Sequence, residues 1–325
     1  MGRGEPNAAR PAPADGSPGE GTGQEVWILQ RHKNPQQALK NENTARLADA
    51  LLRYGMTPRV VSPQHVGQSR GPGHLRIKQT PVAVPAALIG RSGANTGAEA
   101  RALGAMLEGA GTAAFPTARA LALVGDKLSA GRWLRAAGLP VPDFREIGPG
   151  VDAQALGKVL GWPLVVKAGR GSKGRSVRLV DGPEALAQAV SDLIGQGPLI
   201  AQRFVAESRG RDIRVIVIGG TAIGAMAREA SGPNDFRSNI AAGGRGRAIP
   251  LCPEIAQLAE AAARTADLGI AGVDLLHEGS GFTLCELNTA PGFVAFEAVT
   301  GIDVAAAIAG HVAARVAETQ GARSC

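Results

Sequence analysis

The sequence predicts an α/β protein built from more than one module, and three observations carry that prediction. A strand–helix–strand pattern opens the ordered part of the chain. A glycine-rich loop joins two apolar strands near the middle, and two glycine-turned hairpins follow towards the end. At 325 residues the chain has room for two or three packed modules rather than one.

Residues 1–24 are Gly, Pro, Ala and polar residues without periodicity. They bury too little apolar surface to offset ordering entropy, so a disordered tail is expected. Order should begin at Glu25, with Val26-Trp27-Ile28-Leu29 as a first strand. A helix over 43–54 is expected to turn Ala45, Leu47, Leu51 and Leu52 to one side and Arg46 and Arg53 to the other, with Gly55 ending it. Arg59-Val60-Val61 and residues 86–91 read as two further strands, giving a small α/β module over about 25–115. Asp126 is placed to cap a helix over 126–138, with Leu128, Trp133, Leu134 and Ala137 near one face and Gly138 closing it.

Strands over 163–167 and 175–180 flank the glycine loop. A helix opens at Pro183, and Leu199 to Gln202 form a strand leading to Phe204. Residues 213–228 alternate as a hairpin about Gly219-Gly220. Pro253 starts a helix, 271–276 and 282–287 make a second hairpin about Gly279 and Gly281, and a helix over 303–318 closes the chain.

Composition narrows the functional classes. The chain is 44% hydrophobic and 19% charged, ordinary for a globular protein, but only 3% aromatic. Net charge is +7, and the first 25 residues carry more acid than base, so the remainder is more basic still. Such a surface suits nucleic acid, an acidic polypeptide or an anionic small molecule. Cys252, Cys285 and Cys325 form no ligand spacing. No apolar run is long enough for a membrane span and no secretory leader is visible, so a cytoplasmic protein without membrane contact is expected.

The chemistry concentrates in two segments. Pro163 to Ser176 sets Lys167 at the end of an apolar strand, followed by Gly169-Arg170-Gly171-Ser172-Lys173-Gly174. The loop spells G-x-G-x-x-G, but the dinucleotide version must open a helix, and here a strand follows. A strand–loop–strand with glycines lets backbone N–H groups approach phosphates as a lid; an ordinary flexible hairpin loop is the plain alternative.

The second segment holds Asp274, Glu286 and Asn288. Glu286 and Asn288 share one strand face, and antiparallel pairing about Ser280 brings Asp274 opposite Glu286. Two carboxylates opposed on an apolar hairpin repel unless a cation separates them, and oxygen-only donors favour Mg2+ or Mn2+. Residues 203–247 are rich in arginine, and one or two of these are suited to neutralise a transferring phosphoryl group.

Taken in order, Gly125-Asp126-Lys127-Leu128, Pro163 to Lys167 with its loop, Gln202 to Val205, Asp212-Ile213-Arg214, Asp235 to Asn239, Ala271 to Asp274, Glu286 to Gly292, and Thr300 to Asp303 resemble the ATP-grasp superfamily, and within it the RimK-type glutamate ligases. The resemblance covers roughly 120–310. It implies an N-terminal pre-ATP-grasp α/β module (25–120) followed by two α+β ATP-grasp subdomains (121–200 and 201–320) holding ATP between them.

The roles it implies are specific. Lys127 and Lys167, with Gly171, Ser172 and Gly174 of the lid, would meet ATP phosphates. Gln202, Arg203 and Phe204 would sit against adenine at the hinge, and Asp212 would help hold the nucleotide. Arg237, Ser238 and Asn239 would line the phosphate side, with Arg214, Arg237 and Asn239 acting in catalysis. Asp274, Glu286 and Asn288 would hold Mg2+ or Mn2+. Arg203 departs from the family, which has Glu at that position. Implied partners are ATP, glutamate or a similar amino acid, and an acidic carboxylate acceptor such as a protein tail or peptide, in a homo-oligomeric enzyme.

Two readings compete with a ligase. A basic nucleic-acid- or ribosome-binding protein without ligase activity would interleave aromatics for base stacking, and these are scarce. A dinucleotide oxidoreductase would need a helix directly after the glycine loop.

Overall fold

The computed structural model describes residues 24–32, 34–68, 75–92, 97–169, 176–232, 235–236 and 243–324. Residues 1–23 of the expected tail and 170–174 of the glycine lid, including Gly171, Ser172 and Gly174, lie outside these residues, as do Arg237, Ser238 and Asn239.

The N-terminal module comprises β1 (Glu25–Leu29), α1 (Pro35–Leu39), α2 (Glu42–Arg53), β2 (Thr57–Val61), β3 (Val66–Gln68), β4 (Leu75–Ile77), β5 (Thr80–Val82), β6 (Ala87–Gly90), α3 (Ala98–Gly109) and β7 (Ala113–Phe115). Its main sheet has the order β2-β1-β6-β7 with every pair parallel. Parallel pairing requires crossovers, and α2 and α3 supply them. Strands β3, β4 and β5 form a small separate sheet. Asn41 caps α2 by accepting from the Thr44 N–H, and Gly55 follows its end at φ +73°. Leu47 and Leu51 are buried as expected, but Leu52 is exposed. One residue past Leu51 is a 100° rotation, which carries Leu52 off the apolar stripe.

Two helices lead out of this module, α4 (Ala118–Val124) and α5 (Lys127–Ala136). Trp133 of α5 is less buried than expected, and its indole N–H donates to the Thr265 carbonyl at 2.7 Å. A four-stranded antiparallel sheet of order β10-β9-β11-β8 follows, from β8 (Phe144–Ile147), β9 (Leu164–Ala168), β10 (Val177–Val180) and β11 (Leu199–Arg203). Helices α6 (Ala153–Leu160) and α7 (Pro183–Leu193) contribute Leu156, Leu186 and Leu193 to its core with Leu164, Val166 and Ala201.

The last unit is a five-stranded antiparallel sheet of order β14-β13-β12-β15-β16. Its strands are β12 (Arg211–Ile218), β13 (Thr221–Glu229), β14 (Arg245–Ile249), β15 (Ile270–Glu278) and β16 (Gly281–Asn288). Its helices are α8 (Pro253–Thr265), α9 (Val294–Thr300) and α10 (Val304–Ser324). On one face, Ile213, Val215, Val273 and Leu275 pack with Ile255, Ala259 and Ala263 of α8, and Ala120, Val124 and Leu134 of α4 and α5 join the same core. On the other side, Ile216, Ile218 and Phe296 share a core with Ile28 and Leu47 of the N-terminal module and with Val304, Ile308 and Val312 of α10. Among the described residues no single helix is long and apolar enough to cross a membrane.

Candidate active site

A cleft opens between the central sheet and the C-terminal sheet. Strand periodicity explains which side chains reach it. On β9, Leu164, Val166 and Ala168 enter the core beneath α6 and α7, so Lys167 points the other way and lines the cleft. On β11, Leu199 and Ala201 are core, while Ile200 and Gln202 line the cleft. Helix α5 reaches it through Lys127, and β16 through Leu284 to Leu287. Its lining is mixed: Leu134, Val141, Phe144 and Ile200 are apolar, while Asp126, Lys127, Lys167, Gln202 and Glu286 are polar or charged. A ligand with a flat apolar ring and an anionic tail matches this mixed lining.

Lys127 is fixed at its backbone. Asp126 caps α5, accepting from the Ser129 N–H at 2.9 Å and from its hydroxyl at 2.8 Å. The Lys127 N–H donates to the Gly169 carbonyl at 3.0 Å, tying the start of α5 to the residue where the glycine loop begins. The Lys127 Nζ lies 2.8 Å from Glu286 Oε1. Burial opposes the ammonium charge, but Glu286 outweighs it and the lysine pKa is raised.

Asp274 stands opposite Glu286 in the β15–β16 register, as expected. The turn is not centred on Ser280, however. Glu278 pairs with Gly281 around Gly279-Ser280, and the register shifts between Asp274 and Leu275, which pairs with Leu284. Cys285 is the extra residue of this bulge. Without it, Asp274 would face Cys285 and Glu286 would turn to the other side of the sheet. Burial pushes the Cys285 thiol up to about 11, so it is not a ready nucleophile.

The cation beside Asp274 is supplied by side chains. Arg214, its neighbour in the β12–β15 register, donates from Nε and, at 2.7 Å, from Nη2. Arg228 on β13 binds Asp212 with Nε and Nη2, both at 2.6 Å, and its Nη2 also lies 2.8 Å from Asp274 Oδ2. Desolvation would raise the Asp274 pKa, but the two guanidinium groups override it and hold the carboxyl at about 2. The same carboxylates raise the Arg228 pKa despite its burial.

Asp274, Glu286 and Asn288 present oxygen donors on adjacent strands, and the Asn288 Oδ1 accepts from the Ala290 N–H at 3.0 Å while keeping a second lone pair. Among the described residues no three His, Cys, Asp or Glu side chains cluster as a metal site, so the Asn288 amide is needed to complete the set. In donor chemistry the set fits Mg2+ or Mn2+.

The remaining expected residues fall as follows. Gln202 lines the cleft. Arg203 pairs its side chain with Glu278 at the end of β15, bridging the two sheets, and its N–H donates to the Asp143 carbonyl at 2.8 Å. Phe204 lies under the Arg209 guanidinium, 5.7 Å from the ring centre. Asp212 and Arg214 are in the ion-pair network beside Asp274. Sequence reasoning counted Arg228 only among the arginines of 203–247 and gave it no partner, although a signal existed: Asp212 and Arg228 are equidistant from Gly220, in the turn of their hairpin.

A cleft between two antiparallel sheets, lined by Lys127, Lys167 and Glu286, is the arrangement expected of the ATP-grasp class. Comparison with known proteins agrees: the family described as the RimK-like ATP-grasp domain matches residues 124–312. The chain belongs to this family of ATP-dependent ligases that form carbon–nitrogen bonds. It is 32% identical over 301 residues to a probable alpha-L-glutamate ligase 1 of Shewanella frigidimarina, covering 90% of this chain and 97% of that one. It is 35% identical over 179 residues to beta-citrylglutamate synthase B of Danio rerio, covering 54% of this chain and 44% of that one. The fold matches that of the ATP-grasp ligase PsnB, solved with a precursor variant, Mg and ADP, at a TM-score of 0.68, 21% identity, and coverage of 90% and 98%. The reading as a basic nucleic-acid-binding protein gains no support. Lys127, Arg214 and Arg228 are engaged with carboxylates at the cleft rather than spread over an open face.

Proposed function

We propose that this protein joins glutamate, or a similar amino acid, through its amine to the carboxylate of an acidic peptide, protein tail or small molecule. The observation that carries this reading is the convergence of Lys127, Lys167 and Glu286 on one cleft that is also lined by Leu134, Val141, Phe144 and Ile200. The acceptor carboxylate attacks the γ-phosphorus of ATP, forming an acyl phosphate and releasing ADP. The amine then attacks the acyl carbon, phosphate leaves, and the nitrogen loses a proton. No protein nucleophile is required.

In this reading Lys127 and Lys167, with Gly171, Ser172 and Gly174, bind phosphates. Gln202, Arg203 and Phe204 border the adenine, and Asp212 acts through Arg228 rather than on the nucleotide directly. Arg214 orients Asp274, and Arg237, Ser238 and Asn239 serve the phosphate side. Asp274, Glu286 and Asn288 would hold Mg2+ or Mn2+, which offsets charge on the transferring phosphoryl group when bound. Glutamate as the amine is supported by the relatives' names, and the net positive charge favours an acidic acceptor.

The test is direct. Purified protein is incubated with ATP, Mg2+, glutamate and a panel of carboxylate acceptors, following phosphate release and product mass. Glutamate-dependent phosphate release with a matching mass gain is expected. Phosphate release that does not depend on an amine, or none with any acceptor, would refute the assignment.

A further inference from the structure

The two carboxylates of the cation site are neutralised by unlike partners. Asp274 is clamped by Arg214 and Arg228, whose planar guanidinium groups bind in fixed geometry and do not lose their charge. Glu286 is held by Lys127, a compact ammonium on a flexible stem. The lysine also lines the cleft beside Lys167, where an anionic ligand would compete for it. Lys127 and Lys167 line the cleft together with Asp126 and Glu286, so the charge that decides is local: the Lys127 ammonium lies 2.8 Å from the carboxylate a cation would bind. A bare divalent cation meets a like charge at Glu286, while a polyphosphate is attracted to the same ammonium.

We infer that Lys127 acts as a removable counter-ion on Glu286, so that the site takes up its divalent cation only once nucleotide phosphates have drawn the lysine away. This deepens the proposed function and rests on its assignment of Glu286 as a cation ligand. Nucleotide binds first, or together with its cation, and the free protein stays nearly cation-free. The order follows from charge. A phosphate oxygen can replace Glu286 as the partner of Lys127, and the freed carboxylate then becomes available to the cation that the same phosphates attract. The Lys127 N–H bond to Gly169 fixes the backbone from which the side chain swings, so exchange needs side-chain rotation rather than movement of α5.

The experiment titrates Mn2+ into the full chain without nucleotide, reading free Mn2+ by electron paramagnetic resonance. Wild type should bind weakly, and Lys127→Met should bind at least about tenfold more tightly, because a like charge beside the cation is gone. Lys127→Arg, which keeps the charge, should stay near wild type. Adding Glu286→Gln to Lys127→Met should remove the gain, locating it at this carboxylate. Thermal melts establish that each variant is folded, and Lys127→Gln serves if the methionine variant is not. Equal Mn2+ affinity in wild type and Lys127→Met, or a gain that survives Glu286→Gln, overturns the inference. If Mn2+ binds wild type in the presence of AMPPNP but Lys127→Met gains nothing, the counter-ion role alone fails. If Mn2+ binds no variant even with AMPPNP, the cation site itself is refuted.

Discussion

Asp274 and Glu286 face each other across one strand pair, yet they differ in what their removal exposes. Asp274 is buried between two largely buried guanidinium groups, so Asp274→Asn leaves Arg214 without its counter-charge and Arg228 with Asp212 alone. A loss of about 3–5 kcal/mol in denaturant-measured stability is expected. Glu286 is part-exposed, so Glu286→Ala should abolish turnover while shifting Tm only slightly. Near-normal ligation by that variant would contradict its role. Asp274 also sets an acid limb. Its folded pKa is depressed to about 2 from 3.8, so the stability it contributes is present above 3.8 and is lost as pH falls towards 2. That contribution is roughly 2 kcal/mol. Denaturation at pH 7 and near pH 2.5 should therefore show the wild type losing more stability than Asp274→Asn, whose amide does not titrate there. Parallel losses would show that another group governs the acid limb.

The hairpins carry these residues, and both use one device. A two-residue turn, Gly219-Gly220 or Gly279-Ser280, is followed by a register shift. Positive φ at Gly219, Gly220 and Gly279 supplies the turn geometry. The pairing of Asp274 with Glu286 was legible because a turn centred half a residue earlier plus one bulged residue gives the register of a turn centred on Ser280. The bulge itself carries no signal in a lone cysteine. Deleting Cys285 should rotate Glu286 out of the cleft and reduce ligation by at least about a hundredfold, since a misplaced group forfeits its orientation. Cys285→Ala keeps the bulge and should retain most activity. Equal activity of both variants would contradict the register argument.

Other elements were illegible for reasons of contrast. Helix α3 reads AEARALGAMLEG, where alanine and glycine stand on both faces and blur the period. Strand β14 is a polar edge strand, RGRAI, without apolar alternation. The Arg203–Glu278 bridge needed tertiary proximity that no local pattern encodes. Both partners are about a third exposed, so a double-mutant cycle of Arg203→Ala and Glu278→Ala should give a coupling of only about 0.5–1 kcal/mol.

At the scale of the molecule, cores and sheets divide the chain differently. Val26, Ile28, Leu47 and Leu51 of the N-terminal module are fully buried in one cluster with Ile216, Phe293, Phe296, Val304 and Ile308. Removed from the C-terminal sheet and α10, they would lose the cover of one side, each at a fraction of the about 1.5–3 kcal/mol that full burial contributes. The central sheet is otherwise placed: Leu156, Leu164, Val166, Leu186 and Leu193 close a core among themselves. Its links to the rest include the small Leu128, Phe144 and Ile200 cluster and the Arg203–Glu278 pair. Such a unit can move against its neighbours with little loss of buried area, which suits a cleft that must admit and release a nucleotide. Two fragments distinguish these cases. Residues 24–120 alone should remain unfolded, while residues 142–204 should fold on their own with only a few kcal/mol of stability, as expected of about 60 residues with one small core. Circular dichroism melts and amide dispersion in proton spectra measure both. Cooperative folding of the 24–120 fragment would show that the shared core is not needed by the N-terminal module, and failure of 142–204 to fold would show that the cleft contacts hold the central sheet together.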